Sequence, residues 1–505
     1  MTMNIRRLIH IFIAFTCLAM LSACYNYDQE GIEEVNAENY YINLAISVSN
    51  GNEHSTRADE QPAGGEDGNG REAGFERENT INGITLILYQ DAAGINTTAD
   101  PTLDLVRYFP VTDRTTGTAP IEVTYTTGNQ PLGYNKLNMS GTYHAIVIAN
   151  APELAASLIE GTSKLSDVRD MTCKTLYTGN PTMSADNCRN FVMSSEQDNT
   201  INFGSITATN LDGTPHVKGR DMLFNLTDQP LVIERLAARI DFWSKNSSGY
   251  DATTYSKKGY VYNVTGSATD KFVVTGIVPF NLTNSHNIYG REYLLKRLKD
   301  DLSATSVKYL ADETALTSYV IDPNTHNKKN DVIPTLDSPL SGLYPMIPEM
   351  GPTNIEDAAD NPYFHSIEAM QASSSKSTIG SQENVVVCYP MENCLLPESR
   401  LYYHATGIAI VGYYYQNGTG SGKRLVYLGY LRHQGEAETY DIQPYTTPLP
   451  NDATATMGTT KAMNFGIVRN NIYRVSINSI DKMSTMELSI KVKKWDPYIH
   501  DFIYM

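Results

Sequence analysis

The residue with the clearest chemical role lies near the amino terminus, where the small residues Ser22 and Ala23 precede Cys24. Small side chains let a chain lie extended in a peptidase cleft, and the thiol that follows is the nucleophile that takes a lipid. A basic pair and an apolar run at 8–20, too short for a typical membrane span, come before it. We therefore predict that residues 1–23 are a lipoprotein signal peptide and that Cys24 is lipidated. An ordinary secretory signal with a chance cysteine is the alternative.

Four further cysteines lie in the mature chain as two pairs that are close in sequence, Cys173 with Cys188 and Cys388 with Cys394. An exported chain meets an oxidising compartment, where cysteines of this kind form disulfides. We predict two local disulfides. Neither pair has the CxxC spacing that is typical of zinc sites, so no zinc site is predicted.

A glycine-rich stretch, Gly418–Lys423, invites a phosphate-loop interpretation. A phosphate loop that ended there would need glycine in place of Asn417 and serine or threonine in place of Arg424. The stretch also joins two tyrosine-rich segments, whereas a phosphate loop opens a helix. A hairpin turn is the better interpretation.

Other catalytic signatures are missing from the sequence. It has no HExxH, no GxSxG elbow and no cysteine–histidine arrangement, and its 10 histidines are scattered. The tyrosine clusters at 402–403 and 413–415 fit cross-strand packing better than a sugar-stacking platform. We predict that the protein is not an enzyme and has no cofactor, metal or catalytic residue.

The overall composition is acidic and rich in residues that favour β structure. The chain has 39 Lys+Arg against 56 Asp+Glu, a formal net charge of −17, which disfavours nucleic acid or an anionic membrane surface as a partner. With 33 Tyr, 35 Gly and 23 Pro it favours strands and turns. About 480 mature residues exceed one ordinary core, so at least two domains are expected.

Alternation predicts the first strand, because Ile42, Leu44, Ile46 and Val48 point to one side. The polar segment 51–79 that follows is predicted to be flexible. It offers three arginines to a trypsin-like protease, since such segments are where chains are cut: Arg57, Arg71 and Arg77.

The strand pattern restarts at Pro230, with Leu231–Trp243, which we interpret as strand rather than helix. We place a domain boundary there.

The carboxyl terminus is apolar, which is unusual in an acidic exported protein. After the strand Ile467–Ile480, a second strand alternates, and an extended piece ends the chain. An apolar terminus needs a partner surface, either its own sheet or a neighbouring subunit that accepts a strand. Six residues would make that contact: Leu488, Ile490, Val492, Trp495, Phe502 and Tyr504.

Several of these segments, in this order, resemble fimbrillins of the Bacteroidales type, the FimA/Mfa family of type V pilin subunits. They are the lipobox at Cys24, the strand around Ile42–Val48 followed by Thr56-Arg57-Ala58, the segment VIERLAARIDF at 232–242, and RNNIYRVSINSI at 469–480. The resemblance covers both ends and the middle of the chain.

The resemblance implies a mostly β fold of two transthyretin-like β-sandwich domains with a few short helices. It implies an arginine-specific protease that cuts between Arg57 and Ala58. The strand with Ile42, Leu44, Ile46 and Val48 then leaves, and a neighbour's carboxyl-terminal strand fills the groove. The expected segments are a signal (1–23), a tether and first strand (24–57), an N-terminal domain (58–229), a C-terminal domain (230–485) and a donor strand (486–505).

The expected partners are therefore copies of the chain, other fimbrial subunits and the protease. The precursor would be held at the cell outer membrane by lipid on Cys24, and the mature protein would form an extracellular fimbrium that supports adhesion. The chain fits a stalk or accessory subunit; an anchor or tip subunit of the same fimbria and a surface glycan-binding lipoprotein are the alternatives.

Overall fold

The computed structural model describes most of the chain in ordered segments. These are residues 40–48, 71–90, 100–110, 121–122, 137–138, 140–169, 171–173, 185–195, 199–218, 220, 222–283, 286–287, 309–312, 317–320, 343–344, 363–394, 405–432, 439–445, 466–496 and 502–504. The predicted signal peptide, Cys24, Arg57 and Ala58 lie outside them.

The described part of the chain is built mainly from strands. In the amino-terminal half they are β1 Tyr40–Val48, β2 Arg71–Ala73, β3 Gly83–Tyr89, β4 Leu103–Pro110, β5 Ile121–Glu122, β6 Thr142–Ala149, β7 Thr172–Cys173, β8 Met193–Ser195, β9 Asn199–Asn202, β10 Met222–Arg235, β11 Arg239–Trp243, β12 Ser247–Asp251, β13 Gly259–Asn263, β14 Lys271–Phe280 and β15 Leu282–Thr283. In the carboxyl-terminal half they are β16 His286–Asn287, β17 Tyr309–Asp312, β18 Thr317–Val320, β19 Leu343–Tyr344, β20 His365–Ser366, β21 Lys376–Ile379, β22 Gln382–Cys388, β23 Asn393–Cys394, β24 Gly407–Tyr415, β25 Lys423–Tyr430, β26 Thr439–Ile442, β27 Gly466–Ile467, β28 Asn471–Ile480, β29 Met486–Asp496 and β30 Phe502–Tyr504.

Helices are few and short. The α-helices with described side chains are α1 Pro152–Ala155, α2 Leu165–Arg169 and α3 Ile367–Gln371, and 3₁₀ turns occur at Glu76–Glu78, Ala185–Asn187, Phe203–Ser205 and Gln416–Gly418. The predicted fold class, mostly β with a few short helices, is confirmed.

The N-terminal core forms on one nine-stranded sheet. Its strand order is β30-β1-β10-β8-β6-β3-β4, with β5 on β1 and β9 on β6. Strand β3 is buried along its whole length, as its apolar sequence requires, and lies between β4 and β6. One cluster of buried side chains covers this sheet and includes the apolar residues of β1.

The C-terminal core forms between two sheets. One has the order β2-β29-β28-β11-β22-β21 and the other the order β12-β13-β14-β24-β25. Apolar residues from both sheets share one buried cluster, for example Phe242 and Val475 from the first with Phe272 and Ile410 from the second. This arrangement is a β-sandwich.

The chain crosses from the N-terminal sheet to a C-terminal sheet at residues 236–238. Strand β10 belongs to the N-terminal sheet and β11 to a C-terminal one, so the strand predicted over Leu231–Trp243 is confirmed on either side of residues 236–238, which join two strands. The sheets therefore change between Arg235 and Arg239, several residues after the boundary expected at Pro230. The three residues of the crossing are buried.

A buried histidine makes the C-terminal sandwich sensitive to acid. His365 on β20 pairs with Ile277 on β14, and burial lowers the pKa of its imidazole from 6.5 to about 4. Unfolded chains therefore bind a proton between these values that the folded chain excludes. Stability should be complete above pH 6.5 and should fall, by about 3 kcal/mol at most, as the pH drops toward 4.

Urea unfolding of the wild type and of His365→Gln, followed across this range of pH, measures the effect. The variant should lose much of the acid dependence. Equal pH dependence in the two proteins would contradict the assignment.

Candidate assembly site

Strand β1 is inserted at one side of the N-terminal sheet, with partners on both edges. It runs parallel to β10 in register from Tyr40 opposite Met222 to Val48 opposite Ile233. Its other edge pairs antiparallel with β5 near one end and with β30 near the other. Loss of β1 would therefore expose the edge of β10.

The side chains of β1 fill a slot in the core. The four residues that alternation placed on one face are buried: Ile42, Leu44, Ile46 and Val48, at most 6% exposed. Between Leu44 and Ile46 the partner on β10 jumps from Leu226 to Leu231. A strand that lies in this slot must accommodate that bulge, which fixes its register.

The last strand of the chain lies on β1 of the same molecule. Strand β30 pairs antiparallel with Ala45–Ser47, on the edge of β1 that faces away from β10. The predicted contact residues Phe502 and Tyr504 thus belong to β30, which β1 separates from β10. The tail is docked at the rim of the site and does not occupy it.

The predicted donor strand needs a correction in its first half. Strand β29 is an interior strand of a C-terminal sheet, between β28 and β2, with β26 beside it. Three of its predicted donor residues, Leu488, Ile490 and Val492, are buried in the C-terminal core, and Trp495 is buried against the N-terminal core; none is more than 1% exposed. Withdrawing β29 would open that core, so we place the proposed donor in the residues after Asp496, which we call the tail.

Two of the three candidate cleavage arginines lie in ordered structure. Arg71 is the first residue of β2 and lies opposite Lys494 on β29. The Arg77 guanidinium donates to Ser375 Oγ and to Tyr389 Oη, the latter at 3.2 Å, and lies 4.6 Å from the Phe75 ring centroid. The prediction of a flexible segment over 51–79 is therefore wrong for 71–79.

The segment that begins with β2 belongs to a mostly buried group of six charged residues and one tryptophan, between the N-terminal sheet and a C-terminal sheet. We call it the junction cluster, and it consists of Glu72, Glu78, Arg235, Arg239, Asp241, Arg474 and Trp495.

Two arginines of the junction cluster, Arg239 and Arg474, face three carboxylates between them. Arg239 donates to both Asp241 oxygens at 2.7 Å, to Glu72 at 2.8 Å and to Glu78 at 3.4 Å. Arg474 contacts Glu72, and its Nη2 lies 3.8 Å from Asp241 Oδ2. Both arginines are 1% exposed. Buried guanidinium groups of this kind require carboxylate partners, which come here from the segment 72–78 and from β11.

Trp495 is held on several sides within the junction cluster. Its indole Nε1 donates to Glu78 Oε2 at 3.1 Å, and its ring stacks on Tyr389 at 5.8 Å between centroids. Arg235 lies over the ring at 4.6 Å and donates to the Trp495 carbonyl at 3.0 Å. Trp495, two residues before the tail that starts at Pro497, is thereby held in place.

The electrostatics of the junction cluster favour the charged form of Arg239 and the neutral form of its neighbour Tyr389. Burial lowers the pKa of Arg239, but the Asp241 and Glu78 carboxylates outweigh burial, and the pKa lies above its ordinary value. Burial and then the Glu78 carboxylate raise the pKa of Tyr389 well above its ordinary value. Sequence reasoning missed this cluster, and the alternating charges of residues 71–78 were its only signal.

The two predicted disulfides are absent from the structure. Cys188 and Cys388 are buried free thiols, so neither Cys173–Cys188 nor Cys388–Cys394 forms. The cysteines lie on elements with different partners, since Cys173 pairs with His286 on β16 and Cys394 with Gly466 on β27. Burial raises the pKa of Cys188 to about 12 and also raises that of Cys388. Both thiols are therefore poorly reactive.

The glycine-rich stretch is a hairpin turn, as predicted. It joins β24 to β25, which pair antiparallel from Gly407 opposite Tyr430 to Tyr414 opposite Lys423. Tyr414 and Tyr415 are 6% and 1% exposed, because Tyr414 packs between the two sheets and Tyr415 packs against Val261, Val273 and Tyr255. These side chains are thus unavailable as a sugar-stacking platform.

Among the described residues, no group of three or more His, Cys, Asp or Glu is placed to hold a metal ion. No helix in the same residues is long and apolar enough to cross a membrane.

Comparison with known proteins gives likeness in structure. No protein-family model matches the sequence. No curated protein matches it significantly. Among solved structures, one from Parabacteroides distasonis assigned to cell adhesion aligns at 13% identity and a TM-score of 0.40, over 91% of this chain and 98% of that one. The chain is similar to fimbrial and cell adhesion proteins.

Two solved fimbrial proteins of Porphyromonas gingivalis align over similar lengths. The tip fimbrial protein Mfa3 has 9% identity and a TM-score of 0.38, with 90% of this chain and 100% of that chain covered. A fimbrilin has 13% identity and a TM-score of 0.36, with 92% and 99% covered.

Proposed function

We propose that this chain is a structural subunit of a cell-surface fimbria, a stalk or accessory pilin, and not an enzyme. It is exported as a precursor lipidated at Cys24 and reaches the outer membrane. An arginine-specific protease cuts it, β1 leaves, and the carboxyl-terminal tail of the next subunit enters the slot beside β10. The mature subunit then belongs to an extracellular fimbrium that supports adhesion.

The observation that carries this proposal is the position of β1 between β10 and β30. Burial of its four apolar residues stabilises the precursor by about 1.5–3 kcal/mol each, or roughly 6–12 kcal/mol together. That is comparable with the whole stability of a domain, about 5–15 kcal/mol. Without β1, the exposed β10 edge and the apolar slot would bind another strand strongly.

Contacts of the junction cluster favour Arg57 as the cleavage residue. A cut after Arg77 would detach Glu72 from the chain and take a carboxylate from Arg239 and Arg474. A cut after Arg71 would leave a new ammonium group on Glu72, beside those two guanidinium groups. Both cuts weaken buried ion pairs, whereas a cut between Arg57 and Ala58 leaves the junction cluster complete.

A single cut would also release the donor. In the precursor, β30 pairs with Ala45–Ser47 of β1 in the same chain. When β1 leaves, the slot beside β10 becomes empty and the tail loses its partner in the same event. A subunit thereby becomes an acceptor and a donor together.

The length of the tail matches the slot. Residues Pro497–Met505 number nine (505 − 496), and β1 has 9 residues. An extended strand of that length spans about 30 Å, so the tail can follow β10 along the whole path of β1.

Disulfide trapping tests the exchange. One preparation carries Val232→Cys on β10, opposite Ser47, and the other carries one tail cysteine, Phe502→Cys, Ile503→Cys or Tyr504→Cys. In the precursor β1 separates β10 from β30, so the strands are about 10 Å apart. A disulfide needs Cα atoms within about 7 Å. Mixing after cleavage should give a disulfide between two chains for at least one tail position.

The uncut mixture is the matched control and should give none. No trapped dimer at any of the three tail positions, or equal trapping without cleavage, would contradict strand exchange.

A further inference from the structure

The segment that follows the cleavage region lies against the residue from which the tail departs. We infer that the junction cluster positions the root of the tail, and that Glu72, Glu78 and Trp495 are positioning residues for strand donation. This inference rests on the proposed function. It adds a role for the retained segment 71–78, which stays in the subunit after β1 has gone.

Backbone pairing is the first support. Strand β2 runs parallel to the end of β29, with Arg71 opposite Lys494 and Ala73 opposite Asp496. Asp496 is the last residue of β29, so the new amino-terminal segment of a processed subunit pairs with the last residues before the donor. The retained segment and the root of the tail are therefore neighbours in one sheet.

Close packing at Gly74 is the second support. A Cβ atom at this position would lie 2.5 Å from Trp495 Nε1 and 2.6 Å from Glu78 Oε2. Only glycine lets the segment come so near to the indole. Glu78 Oε2 accepts from the backbone N–H of Phe75 at 2.8 Å as well as from Trp495. The turn and the indole are thus held by one carboxylate.

Charge is the third support. Glu72 and Glu78 supply two of the three carboxylates that face Arg239, and Asp241 supplies the other. If the segment moved away, Arg239 and Arg474 would stay buried with fewer carboxylates. The segment is therefore retained when β1 leaves, and the root of the tail stays fixed while its nine residues search for a slot.

A fixed root should affect donation and leave acceptance unchanged. Fixing the first residue of a tail limits the directions that it samples, which raises the rate at which it meets a neighbour's slot. The β10 residues that pair with β1 end at Ile233, and Arg235 is the one residue of the junction cluster on β10. A purely structural role for the junction cluster would instead change both activities together.

The test uses the full chain, cleaved by an arginine-specific protease, in three variants and the wild type. Glu72→Gln and Trp495→Phe each remove one contact of the junction cluster with little change of shape. Glu76→Gln is the matched control, because Glu76 is exposed and lies on the 3₁₀ turn that also holds Glu78. Donation is the rate of polymer growth, and acceptance is the affinity of each processed monomer for a labelled synthetic peptide of residues 497–505.

Polymer growth should slow about tenfold or more in Glu72→Gln and Trp495→Phe, with peptide affinity within about twofold of wild type. Glu76→Gln should match the wild type in both. Unchanged growth in both cluster variants, or a parallel loss of growth and peptide affinity, would overturn the inference. If the processed wild type itself neither grows nor binds the peptide, the proposed function fails instead.

Discussion

Replacing Arg57 by alanine should leave export and folding intact and stop polymerisation. With the chain uncut, β1 stays tethered beside β10 and can leave only by local unfolding. The burial of its four apolar residues, worth roughly 6–12 kcal/mol, keeps the fraction of open slots below about one in ten thousand. Filaments recovered from cells should fall to background, while the precursor remains at the cell surface.

The matched control is Arg71→Ala, which removes another arginine from the same region. This variant should be cut and should polymerise like the wild type, because the expected cut is after Arg57. Surface precursor and sheared filaments can both be quantified with an antibody against the folded chain. Normal filaments from Arg57→Ala, or loss of filaments from Arg71→Ala alone, would move the cleavage site or refute it.

Deleting Pro497–Met505 should give subunits that are processed and folded but cannot donate. Each such subunit keeps the slot beside β10, so it accepts one tail and then ends the filament. Added to wild-type subunits in equal amount, it should shorten filaments severely, and alone it should stay monomeric. Sedimentation and electron microscopy of the purified, cleaved proteins measure both effects.

A longer deletion, of Met486–Met505, should behave differently. It removes β29, whose Leu488, Ile490 and Val492 are buried in the C-terminal core and whose Trp495 is buried against the N-terminal core. At about 1.5–3 kcal/mol for each buried side chain, the loss approaches the stability of a domain. This chain should unfold and bind no tail peptide. A folded, capping protein from the longer deletion would show that β29 is dispensable, and the donor would then extend back to Met486.

The sequence predicts the strands around this site because their signals are local. Alternation at Ile42–Val48 requires one buried face, and the structure buries it against β10. The turn at Gly418–Lys423 is predicted for the same kind of reason, and the structure places it between β24 and β25. A period of two residues identifies a strand, but it does not identify the sheet that the strand joins. Strand β29 shows this limit, because its pattern fits its own sandwich as well as a donor.

Features that depend on distant partners were not predictable. The polar composition of residues 71–78 predicts a linker. Their partners, from Arg239 to Trp495, lie some 160 to 420 positions away in sequence. The buried carboxylates become favourable only when arginines from β11 and β28 arrive. Closeness in sequence also misled the disulfide prediction, because Cys188 and Cys388 each face a core and not the nearby cysteine.

The central claim is that β1 is absent from the assembled subunit, and the mass of the subunit tests it most directly. Filaments are sheared from cells, dissociated, and analysed by intact mass and amino-terminal sequencing. The account predicts subunits that begin at Ala58, with no peptide from residues 40–48 retained in the filament. Subunits that still contain Tyr40–Val48, whether attached or as a bound fragment, would contradict it.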